Sequence, residues 1–581
     1  MKGCKPFAVS IDRSSVPTGL STRVFRYGGV FSYKYDPEKQ WELQFRTRSE
    51  ELLVNMRISF KLACTLLCSG AAVSAQSPTV NLGYATYQGT TSGGINRFLG
   101  MRYAAAPSGN LRWKAPTAPP TVSGVQQATQ FGNVCMATNA GPSPQGQSED
   151  CLFVNVWAPS GAGPNSKLPV WVFIQGGGFE SLASAGTDGS GVVANSGNNV
   201  VLVTLNYRVG IFGFLASSQI QANGVANAGL YDQQAALQWV QQHIAQFGGD
   251  PAHVIIHGQS AGAEAASLQL LSFGGKNQGL FVGAMFESLP EITQPKVSEI
   301  QFQYDALVSN AGCSSSSDSL SCLRGLSTTS LQQFNVPIVY PGRPNAPNYP
   351  YVPCVDGVFL QTGAYEAFQA GKFVKVPMFF GSVTDEGTTL GAPNAASSSD
   401  IQTFFQNNYP RLSSQNTSAI IQQYPQNIEP PFNNHAAWFP AAELAYGDVL
   451  VTCHGLNFGK YFIQAGQPIW TYRFNVLTQS NIASGVGVPH GFDLGAVFGG
   501  GYDNSDQTNV ARLQGYYISF VRSLNPNTFA FSGSTSWPQW NGQAGGQRLV
   551  INNNNTVVES VPQAQMSRCA FWESLAAQLE I

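Results

Sequence analysis

The segment "HVIIHGQSAGAEAAS" places Ser260 between two glycines, just after an apolar, β-branched run and just before an alanine-rich one. The pattern G-x-S-x-G is weak by itself, because a chain with 61 glycines contains such matches by chance. Its surroundings predict a strand over His253–His257 and a helix over Ala263–Leu271. On so sharp a strand-to-helix turn, only small residues two before and two after the serine avoid collision. The context therefore favours a nucleophile over an ordinary turn serine.

A serine hydroxyl is a weak nucleophile and needs an adjacent base. Histidine is the usual base, and the chain contains few of them. Of the six histidines in the chain, His257 lies within the predicted strand and points away from Ser260. His490 instead lies in the Gly-rich segment "GVGVPHGFDLG", where a loop can bring a side chain over the edge of a sheet. A lone histidine is more often structural than catalytic, so the structural alternative stays open at this point.

A carboxylate must hold the tautomer of such a base and stabilise its imidazolium form. The segment "VPMFFGSVTDEGTTLG" places Asp385 and Glu386 at the end of an apolar run that predicts a buried strand. The order Ser260, Glu386, His490 is the serine, acid, histidine order of α/β-hydrolases. The alternative is a solvated loop acid, since the chain has 32 acidic residues to choose among.

Three consecutive glycines, Gly176–Gly178, follow the apolar run Leu168–Ile174. Backbone N–H groups of such a loop can converge with that of Ala261, at the start of the next helix, on the oxyanion of a tetrahedral intermediate. The segment lacks the Lys-Ser/Thr ending of a phosphate-binding loop and the G-x-G-x-x-G spacing of a dinucleotide site. The pattern therefore favours an oxyanion site over a phosphate site.

The elements that must position these residues alternate along the chain. Short, continuous apolar runs predict strands of a sheet that is buried on both faces. The predicted strands are Leu168–Ile174, Asn199–Tyr207, His253–His257 and Val376–Gly381. The segment "GLYDQQAALQWVQQHIAQFGG" places apolar residues near helical spacing and ends in a glycine pair. Strand and helix in alternation predict an α/β protein.

Residues 56–75 have the pattern of a secretory signal peptide, with a basic start, an apolar stretch and small residues at its end. We therefore expect secretion, cleavage after Ala75 and a mature N-terminus at Gln76. Residues 1–55 then form an N-terminal extension, which we expect to be disordered. The sequence leaves open whether this extension is a mistaken start, a signal anchor or a cytosolic leader. The catalytic domain is expected over residues 76–581.

The composition argues against several classes of partner. Only 11% of the residues are charged and the formal net charge is −2, which is unlike a nucleic-acid binder or an electrostatic membrane binder. No stretch of the mature chain is long and apolar enough to predict membrane insertion. Two acceptor sequons, at Asn416 and Asn554, fit an extracellular route and predict glycosylation.

The cysteine spacing suits short disulfide loops better than a zinc site. Cys135 lies near Cys151 and Cys313 near Cys322, each pair flanked by turn formers, so both pairs could form disulfides in an oxidising compartment. Their spacing fits no zinc ligand set, and no histidine is interleaved between them. An odd number of cysteines in the mature chain leaves one of them unpaired.

Several longer stretches resemble the type-B carboxylesterase/lipase family, which includes cholinesterases and secreted fungal esterases and lipases. They are "FLGMRYAAAPSGNLRWKAP", "SEDCLFVNVWAP", "NYRVGIFGFL", "GLYDQQAALQWVQQHIAQFGGDPAHVIIHGQSAGA" and "CAFW". The resemblance covers nearly everything from residue 79. It implies an α/β-hydrolase fold, with a large, mostly parallel central sheet flanked by helices in a single catalytic domain. It also implies catalysis without a metal or an organic cofactor.

Position by position, the resemblance implies a catalytic triad, three oxyanion donors and three disulfides. The triad is Ser260 as nucleophile, Glu386 as acid and His490 as base. The oxyanion donors are Gly177, Gly178 and Ala261. The disulfides join Cys135 to Cys151, Cys313 to Cys322 and Cys453 to Cys569, leaving Cys354 free. Two departures from the family, Gln259 for the usual Glu and Gln175 for the common His or Tyr, are expected to tune electrostatics without abolishing activity.

We therefore expect a secreted serine hydrolase that cleaves small-molecule carboxylic esters through an acyl-enzyme. One alternative is a lipase or sterol esterase acting on lipid esters. Another is a catalytically inactive, cholinesterase-like binding protein, but the intact triad argues against it. The loop between Cys135 and Cys151 is short and rich in Pro, Gly, Asn and Gln, so it cannot form an amphipathic lid helix. We expect an open site for soluble short-chain or aromatic esters; the oligomeric state stays open.

Overall fold

A long mixed β-sheet carries the candidate residues in the computed structural model of the protein. The structure describes residues 77–581 apart from 427–431, 433 and 504, together with the backbone of three strands nearer the N-terminus. Those three form one antiparallel sheet of Arg23–Arg26 (β1), Gly29–Lys34 (β2) and Glu42–Arg46 (β3). We expected no order in this extension, and short alternations such as "GVFSYK" account for the difference. The predicted signal peptide lies outside the described residues and stays a prediction.

Fourteen further strands belong to the catalytic part of the chain. They are Thr79–Asn81 (β4), Thr86–Gln88 (β5), Thr90–Ser92 (β6), Ile95–Arg102 (β7), Val125–Gln127 (β8), Phe153–Pro159 (β9), Leu168–Ile174 (β10), Val201–Leu205 (β11), Gly249–Gln259 (β12), Gly283–Glu287 (β13), Met378–Val383 (β14), Ile469–Asn475 (β15), Gln547–Asn552 (β16) and Thr556–Ser560 (β17). Eleven of them form the central sheet, and β4, β5 and β8 form a small second one.

The central sheet has the strand order β17-β16-β15-β14-β13-β12-β10-β11-β9-β7-β6. From β11 to β16 every neighbouring pair is parallel. Both edges are antiparallel, with β17 on one side and β9, β7 and β6 on the other. The predicted large, mostly parallel sheet is confirmed. Its parallel middle brings the carboxyl ends of distant strands to one edge, where ligand sites of open α/β sheets lie.

Side chains of the central strands are buried on both faces of this sheet. In β10, Val170 and Val172 pack into one apolar cluster and Trp171 into the other, which is the period-two alternation of a strand. Both clusters are apolar because helices cover both faces, so the strand sequences read as continuous apolar runs. This explains why "LPVWVFI" was recognisable and why its predicted bounds, Leu168–Ile174, are confirmed.

The α-helices connect these strands and cover the sheet. They are Ser190–Asn195 (α1), Gly210–Phe214 (α2), Ser218–Asn223 (α3), Ala228–His243 (α4), Ala261–Gly275 (α5), Val297–Asn310 (α6), Ser319–Gly325 (α7), Thr328–Gln332 (α8), Ala364–Gln369 (α9), Ser398–Asn408 (α10), Ser414–Gln423 (α11), Phe439–Gly447 (α12), Cys453–Gln464 (α13), Gln479–Ser484 (α14), Leu494–Phe498 (α15), Gln507–Ser523 (α16), Gln563–Ser574 (α17) and Ala576–Leu579 (α18). A π-helical turn, Asp448–Thr452, joins α12 to α13.

Several predicted boundaries differ from those of the structure by a few residues. The strand predicted at His253–His257 is longer, because β12 extends from Gly249 and pairs with β10 on both sides of a register shift. The helix predicted from Ala263 begins at Ala261, directly after Ser260. Residues Gln76–Ile581 form one compact unit, in agreement with the single catalytic domain.

The cysteine pairing agrees with the family resemblance. Disulfides join Cys135 to Cys151, Cys313 to Cys322 and Cys453 to Cys569, and Cys354 is free and buried. The third disulfide connects α13 to α17 and so ties the C-terminal helices to the rest of the fold. Among the described residues, no helix has the length and apolar character needed to cross a membrane.

Candidate active site

Ser260 lies at the turn between β12 and α5 with a backbone conformation of φ 55° and ψ −136°. A positive φ is strained for a residue with a side chain, and it directs the hydroxyl away from both elements. A Cβ built on Gly258 would lie 2.0 Å from the carbonyl oxygen of Gly262, and one built on Gly262 would lie 2.0 Å from that of Ile174. Both glycines of the G-x-S-x-G pattern are therefore sterically required, which is the reason predicted from the sequence.

Ser260, His490 and Glu386 form one chain of hydrogen bonds. The Ser260 hydroxyl lies 2.7 Å from His490 Nε2, and His490 Nδ1 lies 2.6 Å from Glu386 Oε2. Because a carboxylate accepts at Nδ1, the proton of a neutral imidazole resides there and Nε2 is free to accept the serine proton. This geometry suits general-base activation of a serine nucleophile.

Two donors besides His490 hold the buried Glu386 carboxyl in place. Its Oε1 accepts from the backbone N–H of Val383 at 2.8 Å and from the Ser288 hydroxyl at 2.9 Å. Ser288 follows β13 and itself has a strained φ of 49°, with its N–H donating to the carbonyl of Gly381. Sequence reasoning missed Ser288, because no local pattern marks a serine that meets the acid of another strand.

The glycine loop after β10 faces Ser260. A Cβ built on Gly176 would lie 2.8 Å from the Ser260 Cβ, so the loop touches the nucleophile turn. Gly177 and Gly178 have φ values of 125° and 66°, which L side chains rarely adopt. The N–H groups of Gly177, Gly178 and Ala261 donate to no acceptor within the described residues. Free backbone donors beside a serine hydroxyl are suited to hold an oxyanion.

Comparison with known proteins identifies the family of this chain. A model of the carboxylesterase family matches residues 76–572. The chain belongs to this family. "Lipase 2" of Diutina rugosa is 32% identical over 84% of this chain and 94% of its own, and "Secreted lipase 4" of Gibberella zeae is 29% identical over 84% and 92%. The crystal structure of Aspergillus niger EstA is 44% identical, with a TM-score of 0.84 over 87% of this chain and 99% of its own.

Membership of the carboxylesterase family makes this protein a carboxylic ester hydrolase with the α/β-hydrolase fold. The three residues proposed from its sequence as a triad are brought together from the ends of β12, of β14 and of a loop after β15. The sheet order in this region is β15-β14-β13-β12, and because these strands are parallel, their carboxyl ends lie at one edge of the sheet. Within the described part of the chain, no histidine other than His490 forms a side-chain hydrogen bond with Ser260.

Asp385, the other acid considered from the sequence, positions the His490 loop of this carboxylesterase. Its Oδ2 accepts from the backbone N–H of Val488 at 2.7 Å, and its own N–H donates to the carbonyl of Val488 at 3.0 Å. Burial raises the pKa of Asp385 to about 6, against the lowering effect of the Val488 N–H. Glu386 and not Asp385 therefore meets the base, which is the choice that the family resemblance implied.

The two glutamines that depart from the family pattern both pack around the glycine loop. Gln175 donates to the carbonyl of Leu205 and to Asn206 Oδ1, and its Oε1 accepts from the backbone N–H of Ser184. Gln259 lies between two loops, because a Cβ on Gly491 would come 2.7 Å from its Nε2 and one on Gly176 3.0 Å from its Oε1. We predicted an electrostatic role for both; the contacts of Gln175 are those of a structural anchor.

Glu180, which sequence reasoning also missed, lies two residues after Gly178. Burial raises the pKa of its carboxyl to about 8, and Oε1 has no hydrogen-bond partner within the described residues. The carboxyl lies close enough to Tyr349 and Tyr351 to act on both phenols electrostatically. The Tyr349 ring packs on the loop, 2.7 Å from a Cβ built on Gly178. A neutral acid and a tyrosine thus border the glycine loop at neutral pH.

The loop closed by Cys135 and Cys151 contains no helix, as predicted from its prolines and polar turn formers. Met136, its large apolar side chain, is buried and does not form an exposed lid face. The backbone N–H of Thr138 donates to the carbonyl of Glu180, so the loop lies against the segment after the glycines.

The two predicted glycosylation sites lie in different surroundings. Asn554 is exposed in the turn between β16 and β17. Asn416 is half-buried at the start of α11, where its Oδ1 accepts from the N–H and hydroxyl of Ser413. Glycosylation at either position stays a prediction.

Proposed function

We propose that this chain is a secreted carboxylesterase that hydrolyses esters through an acyl-enzyme on Ser260. The observation that carries the proposal is the continuous hydrogen-bond chain from Ser260 through His490 to Glu386, at 2.7 and 2.6 Å. Distances in this range are those required between a nucleophile, its base and the group that orients the base.

In the first half-reaction, Ser260 Oγ attacks the ester carbonyl carbon while His490 Nε2 takes the hydroxyl proton. Glu386 stabilises the resulting imidazolium. The N–H groups of Gly177, Gly178 and Ala261 donate to the oxyanion of the tetrahedral intermediate. Collapse of that intermediate breaks the ester C–O bond, and His490 gives its proton to the departing alcohol.

In the second half-reaction, His490 takes a proton from water, and the hydroxide attacks the acyl-serine carbonyl. The same three N–H groups donate to the second oxyanion. Collapse breaks the bond to Ser260 Oγ, which regains its proton from His490, and the carboxylic acid leaves. Every proton is thus carried by the chain's own residues, and the proposed cycle needs neither a metal nor an organic cofactor.

Secretion is supported by three independent observations. Residues 56–75 have a signal-peptide pattern, three disulfides are present, and several relatives are named secreted lipases. We propose a catalytic domain over residues 76–581 that begins at Gln76 after cleavage. N-terminal sequencing of the secreted protein tests this, and peptides from residues 1–55 in that material would contradict it.

For the substrate we propose soluble short-chain or aromatic esters. The helix-free loop between Cys135 and Cys151 supports an open site, because a lid needs an apolar helical face. The alternative, a lipase, is favoured by the names of the relatives from Diutina rugosa and Gibberella zeae. Following hydrolysis of a short-chain triglyceride across its solubility limit separates the two. A sharp rise in rate once droplets form indicates the lipase.

A fluorophosphonate probe tests the nucleophile directly, since it phosphonylates activated serines. We expect the wild-type protein to be labelled and Ser260→Ala to remain unlabelled. A wild-type protein that resists the probe and hydrolyses no ester in a broad screen would instead be the inactive binding protein considered above.

A further inference from the structure

Behind the candidate triad, buried polar side chains form two hydrogen-bonded chains that the hydrolytic mechanism does not use, and each chain ends at a carboxyl group. Their members, together named here the acid network, are Trp171, His257, Glu287, Asp493, Tyr472 and Tyr517. They come from β10, β12, β13, the His490 loop, β15 and α16, and all of them are buried. Polar groups without access to water require hydrogen-bond partners, so each proton in the network has a defined place.

The direction of the hydrogen bonds is set at one end by Trp171. An indole N–H can only donate, and it lies 3.1 Å from His257 Nδ1. Burial lowers the pKa of His257 to about 3, so the ring is neutral and its single proton must be on Nε2. Nε2 lies 3.1 Å from Glu287 Oε2 and donates to it.

At the other end of the network, the tyrosine hydroxyls donate toward Asp493. The Tyr472 hydroxyl donates to Asp493 Oδ2 at 2.6 Å. Tyr517 lies 2.9 Å from the Tyr472 oxygen, and because the Tyr472 proton is already used, Tyr517 donates to it. Both ends of the network therefore direct donors toward the two carboxyl groups in the middle.

Glu287 and Asp493 meet in the middle of the network. The two carboxyl groups lie close enough together for the Asp493 charge to act on Glu287. The remaining oxygens, Glu287 Oε1 and Asp493 Oδ1, receive no donor from the described residues. No Lys or Arg of the described chain forms an ion pair with either group. Two ionised carboxylates that are buried close together repel each other strongly, so protonation of one of them is favoured.

The pair is coupled to the candidate base by sequence and by charge. Asp493 follows His490 by three residues in one tight turn, where Phe492 N–H donates to the Pro489 carbonyl and Leu494 N–H to that of Gly491. The negative charge of Glu386, which holds His490, acts on both acids. The Glu287 backbone carbonyl also accepts from the Ser260 N–H at 3.0 Å.

We propose that Glu287 and Asp493 share a single proton, held by Glu287, and that the one negative charge left on Asp493 favours the imidazolium form of His490. Both acids are then positioning residues for the proposed hydrolysis, on which this inference rests. The titratable groups that face the pair are His257 from β12, Glu386 after β14, Tyr472 from β15, Tyr502 before α16 and Tyr517 within α16.

Burial raises the pKa of both carboxyls, and the Asp493 charge raises that of Glu287 further, in agreement with this assignment. Asp493 is the better place for the charge, because the Tyr472 hydroxyl donates to it and lowers its pKa against the effect of burial. Glu287 receives only the neutral imidazole N–H.

The experiment compares Glu287→Gln with Asp493→Asn through the pH dependence of kcat/KM for a soluble ester. Glu287→Gln mimics the protonated acid, keeps a donor for Asp493 and leaves the charge unchanged, so its acid limb stays where it is in the wild type. Asp493→Asn removes the charge, so the acid limb moves to lower pH by about one unit, the size expected for one nearby charge at an effective dielectric of about 20.

Equal shifts in both variants, a shift in Glu287→Gln alone, or no shift in either would overturn the proposal. Thermal unfolding establishes that each variant folds. Tyr472→Phe provides a second test that removes only a hydroxyl donor, with a smaller shift in the same direction expected. Ser260→Ala distinguishes a failure of the proposed function from a failure of this inference. If Ser260→Ala stays active, the proposed function itself is wrong. If Ser260→Ala is inactive and the acid limb of kcat/KM for Asp493→Asn lies where it does in the wild type, only this inference is wrong.

Discussion

Buried acids are accommodated in two different ways in two regions of this molecule. In the first region, the arginine-paired region, Arg112 binds Glu149 and Arg208 binds Asp232 through paired hydrogen bonds. All four side chains are at most 4% exposed. In the second, the acid network, Glu287 and Asp493 form no ion pair with a Lys or Arg of the described residues, and in our proposal one proton neutralises Glu287 and leaves one negative charge on Asp493.

The difference shows a division of roles: the arginine-paired region stabilises the fold, and the acid network lies beside the residues of the proposed chemistry. The four residues of the arginine-paired region lie in the sequence stretches that carry the family resemblance, yet none of them contacts Ser260, Glu386 or His490. A charge pair with a permanent cation stabilises one arrangement of loops. A buried acid that is protonated instead of ion-paired responds to pH and can shift the pKa of a neighbouring base. Each of the following predictions tests this division.

The largest effect is expected at the nucleophile. Ser260→Ala should lower kcat by about a million-fold, the loss seen when the serine of such a triad is removed. Its thermal unfolding should match that of the wild type, because no part of the arginine-paired region changes. Ester hydrolysis and thermal unfolding are measured on the same preparation, and substantial residual hydrolysis would remove Ser260 from the proposed mechanism.

The opposite pattern is expected for Arg208→Met. Removing this guanidinium leaves Asp232 buried without its partner, which typically costs about 3–5 kcal/mol of unfolding free energy. The kcat of the folded fraction should stay near that of the wild type. Denaturant unfolding measures the loss, and Arg208→Met/Asp232→Leu is the matched control, because removing both charges should restore part of the stability. A fully stable single variant would contradict the assigned role.

A pH-dependent effect on stability is expected from Glu180. Burial raises its pKa from 4.5 to about 8, so the folded state binds a proton that the unfolded state releases. Its contribution is complete below pH 4.5 and is lost as the pH rises toward 8. The thermal midpoint of the wild type should therefore fall relative to that of Glu180→Gln over this range. Parallel curves for the two proteins would show that Glu180 is ionised throughout.

The smallest effect is expected for Asp385→Asn. Its side chain keeps an oxygen that accepts from the Val488 N–H, so only the charge near the His490 loop is lost. Because burial raises the pKa of Asp385 to about 6, the wild-type residue is itself protonated below that pH. We expect kcat/KM to fall less than about ten-fold at pH 8, since the triad contacts are retained, and to converge with the wild type near pH 5. A constant ratio between the two would contradict this titration.

Local patterns were sufficient to predict much of the fold and of the candidate site. The bounds of β10 were predicted correctly, because a strand covered on both faces reads as an unbroken apolar run. The nucleophile turn was recognisable because its glycines are required by contacts within a few residues. The pairing of Cys453 with Cys569 came only from the family resemblance, since their separation of 116 residues leaves no local signal.

The sequence by itself determined the strand-turn-helix around Ser260 and the glycine loop, because each depends on residues that are neighbours in the chain. The family resemblance implied that Glu386 meets His490, whereas only the tertiary structure decided that Asp385 holds the loop and that Ser288 supports Glu386. It alone also brought Glu287 to Asp493. These contacts join separate strands and loops at one edge of a parallel sheet, and which side chains meet there depends on strand order and register, which no local pattern encodes.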